Sequence, residues 1–400
     1  MHVLRSERFA ALLLLAAAAL GLILANLPFG DALVAAKEAH LDLPWLGLDL
    51  SAGHWASDGL LAVFFFIVAV ELKRELVIGE LNSPAKALLP AIAAAGGVIV
   101  PSLVYVAFTA GTPTVNGWPV PTATDIAFAL GVLAVFGTWI PTRVRVFLLA
   151  LAVLDDLIAI LIIAFFFTAE VDFAMFGLAA AAVALFGAVT RLMRPRSPYI
   201  LARRPQWPVI LVLCVLAGLA WNCTYRSGVH ATIAGVALGL VASRRPGGRA
   251  AHALEPWSNA VVLPLFALSA AMVAIPRVQP GALDPAFWGI FVGLPVGKLV
   301  GITLGGWVGG LVARRARIGM PLATGDLVAV ATLGGIGFTV SLLMNELAFA
   351  GHPAVAAQGI IAVLLGSGVS IAASGFVVSA RSRWHRAHGG HAGTGGALSR

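Results

Sequence analysis

Charge is what this sequence has least of. Only 11% of its 400 residues are Asp, Glu, Lys or Arg, against 60% hydrophobic residues. A solvated surface cannot be built from so few charges, so a water-soluble enzyme or binding module is excluded. Cysteine is nearly missing as well. Cys214 and Cys223 lie in or beside an apolar segment, which argues against a disulfide framework and a thiolate zinc site. Lys and Arg exceed Asp and Glu by 26 to 18, yet the basic residues are neither interleaved with aromatics nor gathered on an amphipathic face. Nucleic acid is therefore not the partner.

What the chain does have is long apolar runs, recurring from end to end, and these predict an all-α polytopic membrane protein. Twelve transmembrane segments are read, at about 9–27, 58–79, 87–108, 120–140, 146–167, 173–190, 207–221, 229–242, 257–275, 287–312, 327–349 and 354–380. They form a single membrane domain over residues 1–380. The first, behind Arg5 and Arg8, is longer than a signal-peptide core and is read as a membrane helix. Residues 26–58 form a loop outside the membrane, in which 41–50 (LDLPWLGLDL) partly alternates and reads as a β-hairpin or a plain loop. Residues 381–400 are basic and rich in Gly and His. They read as a disordered tail, with His385, His388 and His391 solvated rather than metal-bound.

Charge position tests the segment count. Twelve segments leave Lys37, Arg226 and Arg277 on one side, Lys298 inside the membrane and every other Lys and Arg on the opposite side. The positive-inside rule makes that basic side the cytoplasm and puts both termini there.

Three features carry chemistry. Residues 146–167 are apolar except for Asp155 and Asp156. A helix of that length rises about 33 Å and places both carboxylates near the middle of a bilayer core roughly 30 Å thick. A single charge there costs about 2.5–3.5 kcal/mol on insertion scales, so an adjacent pair calls for a function. An apolar surrounding penalises the charged form of a carboxylate, which suits the pair to proton exchange. Carboxylate oxygens also suit small cations. Neighbouring side chains diverge by about 100°, so the two aspartates need not face the same partner. Buried polar glue between helices is the bland alternative.

The second feature is Thr124–Asp125, in a segment where Pro119 and Pro121 discourage helix. Unwound backbone within a membrane persists where it lines a cavity or is packed in protein. Freed carbonyls, a hydroxyl and a carboxylate there make a cation site; a plain N-cap role for Asp125 is the competing reading. The third is Lys298, well inside an apolar run, for which Asp155 or Asp156 is the natural partner. Residues 334–337 (GGIG) interrupt a second segment. Two interrupted segments at corresponding places point to inverted-topology repeats, segments 3–5 and 10–12, with segments 4 and 11 broken around a transport site.

At these residues the chain closely resembles the NhaA family of Na+/H+ antiporters. The matching runs are AVFFFIVAVELKREL (62–76), PTATDIAFALG (121–131), LAVLDDLIAI (151–160), SGVHATIAGV (227–236), LPLFA (263–267), GKLVGI (297–302) and GGIGFTVSL (334–342). The resemblance implies a secondary transporter, not an enzyme and without a cofactor. It would exchange Na+ or Li+ for protons electrogenically by alternating access, as a homodimer in the bacterial inner membrane. It implies that Asp156 is the principal cation- and proton-binding aspartate and Asp155 its neighbour, so that both would ligate the transported Na+. It implies that Thr124 and Asp125 are the broken-helix pair and Lys298 the lysine beside the aspartates. It assigns Glu71, Arg74, Glu75 and His230 to pH response. The i, i+3, i+4 spacing of the first three puts them on one helix face. Two departures bear on that response. Residues 268–272 read LSAAM where members often carry Asn, and a position at about Ala251 stands where members often carry a glutamate, with Glu255 offset.

A carrier of organic solutes fits less well, because the site has few groups to hold one. An intramembrane aspartyl protease needs YD and GxGD contexts; no YD occurs, and 323–326 (ATGD) lacks the first glycine. A cation channel needs no titrating pair.

Overall fold

The computed structural model of the chain describes residues 7–43, 47–79, 81–168, 171–194, 197, 205–275, 282–316 and 322–389. Its first elements are α1 (Glu7–Ala25), α2 (Gly30–Glu38), strands β1 (His40–Leu43) and β2 (Leu48–Ser51), α3 (Leu61–Ile78), α4 (Pro84–Thr109), α5 (Ile126–Phe136) and α6 (Thr142–Phe166). Then come α7 (Phe173–Thr190), α8 (Trp207–Arg226), α9 (Thr232–Val241), α10 (Arg244–Trp257), α11 (Leu263–Ala270) and α12 (Pro285–Val292). The last four are α13 (Lys298–Ala316), α14 (Thr324–Gly334), α15 (Phe338–Ala348) and α16 (Pro353–Gly389). This is an all-α polytopic membrane protein with one small hairpin. Among the described residues six helices are long and apolar enough to cross a membrane, and three bent pairs pass the same test as single spans.

The chain divides into two compact units. Unit 1 comprises Met1–Gly79 and Ile160–Ile275; unit 2 comprises Glu80–Ala159 and Pro276–Arg400.

In unit 1, α1 packs on α11, α3 on α9 and α10, and α7 on α8. Close approach of α9 to α3 depends on glycine. A Cβ on Gly235 would lie 2.1 Å from the Ala62 carbonyl oxygen, and one on Gly239 2.6 Å from that of Phe66. Small residues that let backbones meet are how membrane helices gain contact where no hydrophobic drive exists. The stretch read as hairpin or loop pairs β1 with β2 antiparallel, Leu41 opposite Leu50; its connecting residues 44–46 lie outside the described residues.

The structure differs from the sequence expectations at four places. Residues 26–58 contain a helix, α2, set at 112° to α1. Six of its nine residues, Ala, Leu, Lys and Glu, are good helix formers. The bend is held by Asn26, whose side chain donates to the carbonyls of Leu22 and Val273 and accepts from Ile275 N. The seventh segment continues to Arg226. The ninth is preceded by the polar helix α10, passes through a π-helical turn, Ser258–Val262, and ends at Ala270. Finally, the helix α16 runs on through Gly389, so the supposed tail is helical over its first nine residues; 390–400 lie outside the described residues.

Unit 2 contains two triplets of spans, α4–α6 and α12–α16, each with its middle span broken. The 3-10 turns between Pro113 and Thr122 bend 43° into α5, and α14 bends 48° into α15. The two triplets meet along α4 and α13. Glycine recurs every fourth residue at 293, 297, 301, 305 and 309, one face of a helix, a pattern the sequence reading passed over. A Cβ on Gly301 would lie 2.2 Å from the Gly96 carbonyl oxygen, and one on Gly305 2.6 Å from that of Ile92. Between α12 and α13 the helix takes a π turn, Gly293–Gly297. Pro295 has no N–H to give the regular ladder. Lys298 follows directly and is fully buried.

Candidate functional site

On α6 the residues Leu148, Leu151, Ala152 and Ala159 are buried and share a face with Asp155 at spacings of three, four and seven. Asp155 therefore points inward with its apolar neighbours. Asp156 lies about 100° round the helix and is buried too, among Val153 and Ile160. A carboxylate placed so needs a partner, and Asp155 has one. Lys298 Nζ donates to Asp155 Oδ2 at 2.5 Å. Of the two partners the sequence left open for the lysine, the ion pair is with Asp155.

The same ammonium donates to Thr124 Oγ1 at 3.0 Å, and Thr124 Oγ1 donates to the Gly334 carbonyl at 2.8 Å. A continuous chain thus runs from Asp155 through the lysine and the first break to the end of α14. Asp155 Oδ1 is buried alongside the ion-paired oxygen.

Asp125 takes up the N-cap position that spacing allowed. It is the N-cap of α5, accepting from Phe128 N at 3.1 Å. It is also buried inside unit 2, and its other oxygen accepts from Thr339 Oγ1 at 2.7 Å and Thr339 N at 3.3 Å. A single carboxylate therefore faces the positive N-terminal ends of two half-helices, α5 and α15. Its own N–H donates to the Ile336 carbonyl at 2.6 Å, pinning one break against the other. Ser341 Oγ, donating to the Val120 carbonyl at 2.8 Å, ties the breaks once more. Thr339, Ser341 and the Gly334 carbonyl were not legible as partners, because hydroxyls and carbonyls in apolar segments carry no signature.

The structure thus brings Thr124, Asp125, Asp155 and Lys298 into one buried network, with Asp156 beside it on α6. The other candidates lie in unit 1. Glu71 and Arg74 line a cavity that Arg244, His252 and Glu255 also line. Glu255, set aside in the sequence as offset, thus faces the same space as Glu71. Glu75 is one residue on from Arg74, at the end of α3. The His230 side chain is largely covered, with Nδ1 at 3.4 Å from Asp58 Oδ1. The tail histidines are engaged elsewhere: His385 on Asp326, and His388 stacked on Trp384. His391 lies outside the described residues.

Comparison with known proteins identifies the family of the chain. The family described as Na+/H+ antiporter 1 matches residues 1–378. A protein of Clavibacter michiganensis named Na(+)/H(+) antiporter NhaA 2 is 60% identical over 388 residues, 97% of this chain and 93% of its own. The NhaA of Tropheryma whipplei (strain Twist) is 46% identical, over 92% of each chain. That of Thermobifida fusca is 42% identical, over 96% of this chain and 94% of its own. A match of this extent, on a chain of apolar helices with two broken spans, settles the class: the chain belongs to the NhaA family of Na+/H+ antiporters, which are membrane transporters and not enzymes.

Proposed function

We propose that this protein exchanges sodium for protons across a bacterial plasma membrane. It exports Na+ or Li+ by alternating access, driven by the proton gradient. The observation that carries this reading is the buried pair Lys298–Asp155 tied through Thr124 to both helix breaks. Asp155 and Asp156 are the cation and proton sites. A carboxylate can hold a proton or a sodium ion but not both at one oxygen, so the two ions compete and exchange follows. Thr124 and the carbonyls freed at the breaks add neutral oxygens of the kind hard cations take. Asp125 balances the half-helix dipoles, and Lys298 balances the aspartates while the site is empty. Exchange is electrogenic, with more protons than sodium ions per cycle, because two carboxylates serve one cation. Glu71, Arg74, Glu75 and His230 set the pH response. Both termini are cytoplasmic, and the β1–β2 hairpin joins two copies in a homodimer.

The test is proton flux driven by a sodium pulse in proteoliposomes. Wild-type protein should acidify or alkalinise the lumen according to the sodium gradient, and an imposed membrane potential should move the reversal point. Asp156→Asn should abolish flux while inserting and purifying normally. Robust flux from that variant would remove Asp156 from the site, and a reversal point deaf to potential would mean one-for-one exchange.

A further inference from the structure

Outside this network unit 2 holds a further buried carboxylate, Asp326, in the first turn of α14 and fully buried. Its Oδ1 accepts from Arg381 Nε at 2.7 Å and lies 2.7 Å from His385 Nε2, both on α16. Its Oδ2 lies 3.7 Å from Arg143 Nη2, in the first turn of α6. The fit is tight: a Cβ on Gly325 would meet the Arg381 guanidinium at 3.1 Å. Next to it, Trp139 N, in the turn that ends the first broken span, donates to Ser382 Oγ at 3.1 Å. The last turns of α16 thus hold the ends of α6, α14 and the α5–α6 turn together.

These are the same elements that meet at the transport site by their other parts. From Asp326 to Gly334 along α14 is about 12 Å, and from Arg143 to Asp155 along α6 about 18 Å. The two helices are joined at one end by Arg143–Asp326. They are joined at the other by the chain Gly334 carbonyl, Thr124, Lys298, Asp155. Helices are stiff rods at this length, so a shift at one joint is felt at the other. We infer that Asp326, with Arg381, His385 and Arg143, is a positioning cluster that sets the distance between the Gly334 carbonyl and the aspartate pair, and so sets affinity for the cation. Asp326 touches no transported ion. It acts through α14, as the outer partners of a metal ligand act through the ligand.

The inference rests on the exchange reading, so wild-type sodium-driven proton flux is measured first. Its absence would overturn that reading and this one with it. In active protein, Asp326→Asn should raise the apparent KM for Na+ about tenfold, with the maximal rate within about twofold of wild type. Asp326→Glu should recover most of the affinity. Truncation after residue 380 removes Arg381 and His385 together and should give the same KM increase. Combined with Asp326→Asn, it should add nothing, because one cluster has been removed twice. Arg143→Gln, at a largely exposed side chain, keeps the fold intact should Asp326→Asn misfold, and should shift KM in the same direction. An unchanged KM in these variants with only a lower melting temperature would overturn the inference, as would fully additive effects of truncation and Asp326→Asn. The cluster would then be a structural staple and nothing more.

Discussion

Between α4 and α6 the chain leaves helical geometry at residues 123–125, and between α13 and α16 it does so at 335–337. The first break is made by proline and supplies side chains, the Thr124 hydroxyl and the Asp125 carboxylate. The second is made by glycine and supplies backbone, the Gly334 and Ile336 carbonyls. Each alone would leave polar groups stranded in an apolar interior. Set against each other, they satisfy one another almost group for group. The first break brings the acceptor for both helix N-termini, and the second brings carbonyls for the donors of the first. Prolines suit a stretch whose donors are few, and glycines suit one where another backbone must come close. A Cβ on Gly337 would lie 3.0 Å from the Ala123 carbonyl oxygen. The two breaks are therefore not interchangeable, and substitutions on each should fail differently.

Lys298 joins the first break to the aspartates, and its loss should have the largest effect. Lys298→Ala leaves Asp155 buried without its cation, a change worth about 3–5 kcal/mol in buried ion pairs. The protein should be markedly less thermostable in detergent, and Lys298→Arg should recover part of the stability through a larger, planar cation. A wild-type melting temperature for Lys298→Ala would mean that the network does not depend on its charge.

Next is the glycine break. In Gly337→Ala the new methyl would lie 2.3 Å from Ser341 Oγ and 2.6 Å from Leu294 Cδ2. Overpacking of this kind costs about 1–3 kcal/mol. It also pushes the second break away from the first, so transport should fall more than stability does. Comparing the variant's flux with its melting temperature separates the two. Equal losses would make the break a packing feature rather than part of the site.

The charged groups of this arrangement were legible in the sequence and the neutral ones were not. Asp155, Asp156, Lys298, Thr124 and Asp125 stand out because a charge or a proline is improbable in an apolar run. Which aspartate meets the lysine was not legible, since adjacent residues on α6 face directions 100° apart and only the register of α13 after its π turn decides. Asp326 was weighed only as a protease aspartate and dismissed at a segment start, where a carboxylate is ordinary, and its partners lie where composition suggested a tail. The glycines at 293–309 were passed over because glycine is common in membrane helices and their spacing matters only opposite a partner such as Gly96.

The smallest expected effect is also the sharpest test of how the breaks are coupled. Thr124→Val is nearly isosteric and keeps the β-branch but deletes Oγ1. That leaves the Gly334 carbonyl without its donor at 2.8 Å and takes one acceptor from Lys298 at 3.0 Å. Losing a buried partner of this kind costs about 1–3 kcal/mol. Thr124→Ser keeps the hydroxyl and loses one methyl, worth about 0.8 kcal/mol of burial. If the hydroxyl is what couples the two breaks, Thr124→Val should lose affinity for sodium while Thr124→Ser keeps it, although serine is the looser fit. If packing is what matters, the order reverses, because valine fills the space and serine does not. Apparent KM for Na+ measured on the pair, with melting temperatures beside it, decides between a hydrogen-bonded joint and a packed one.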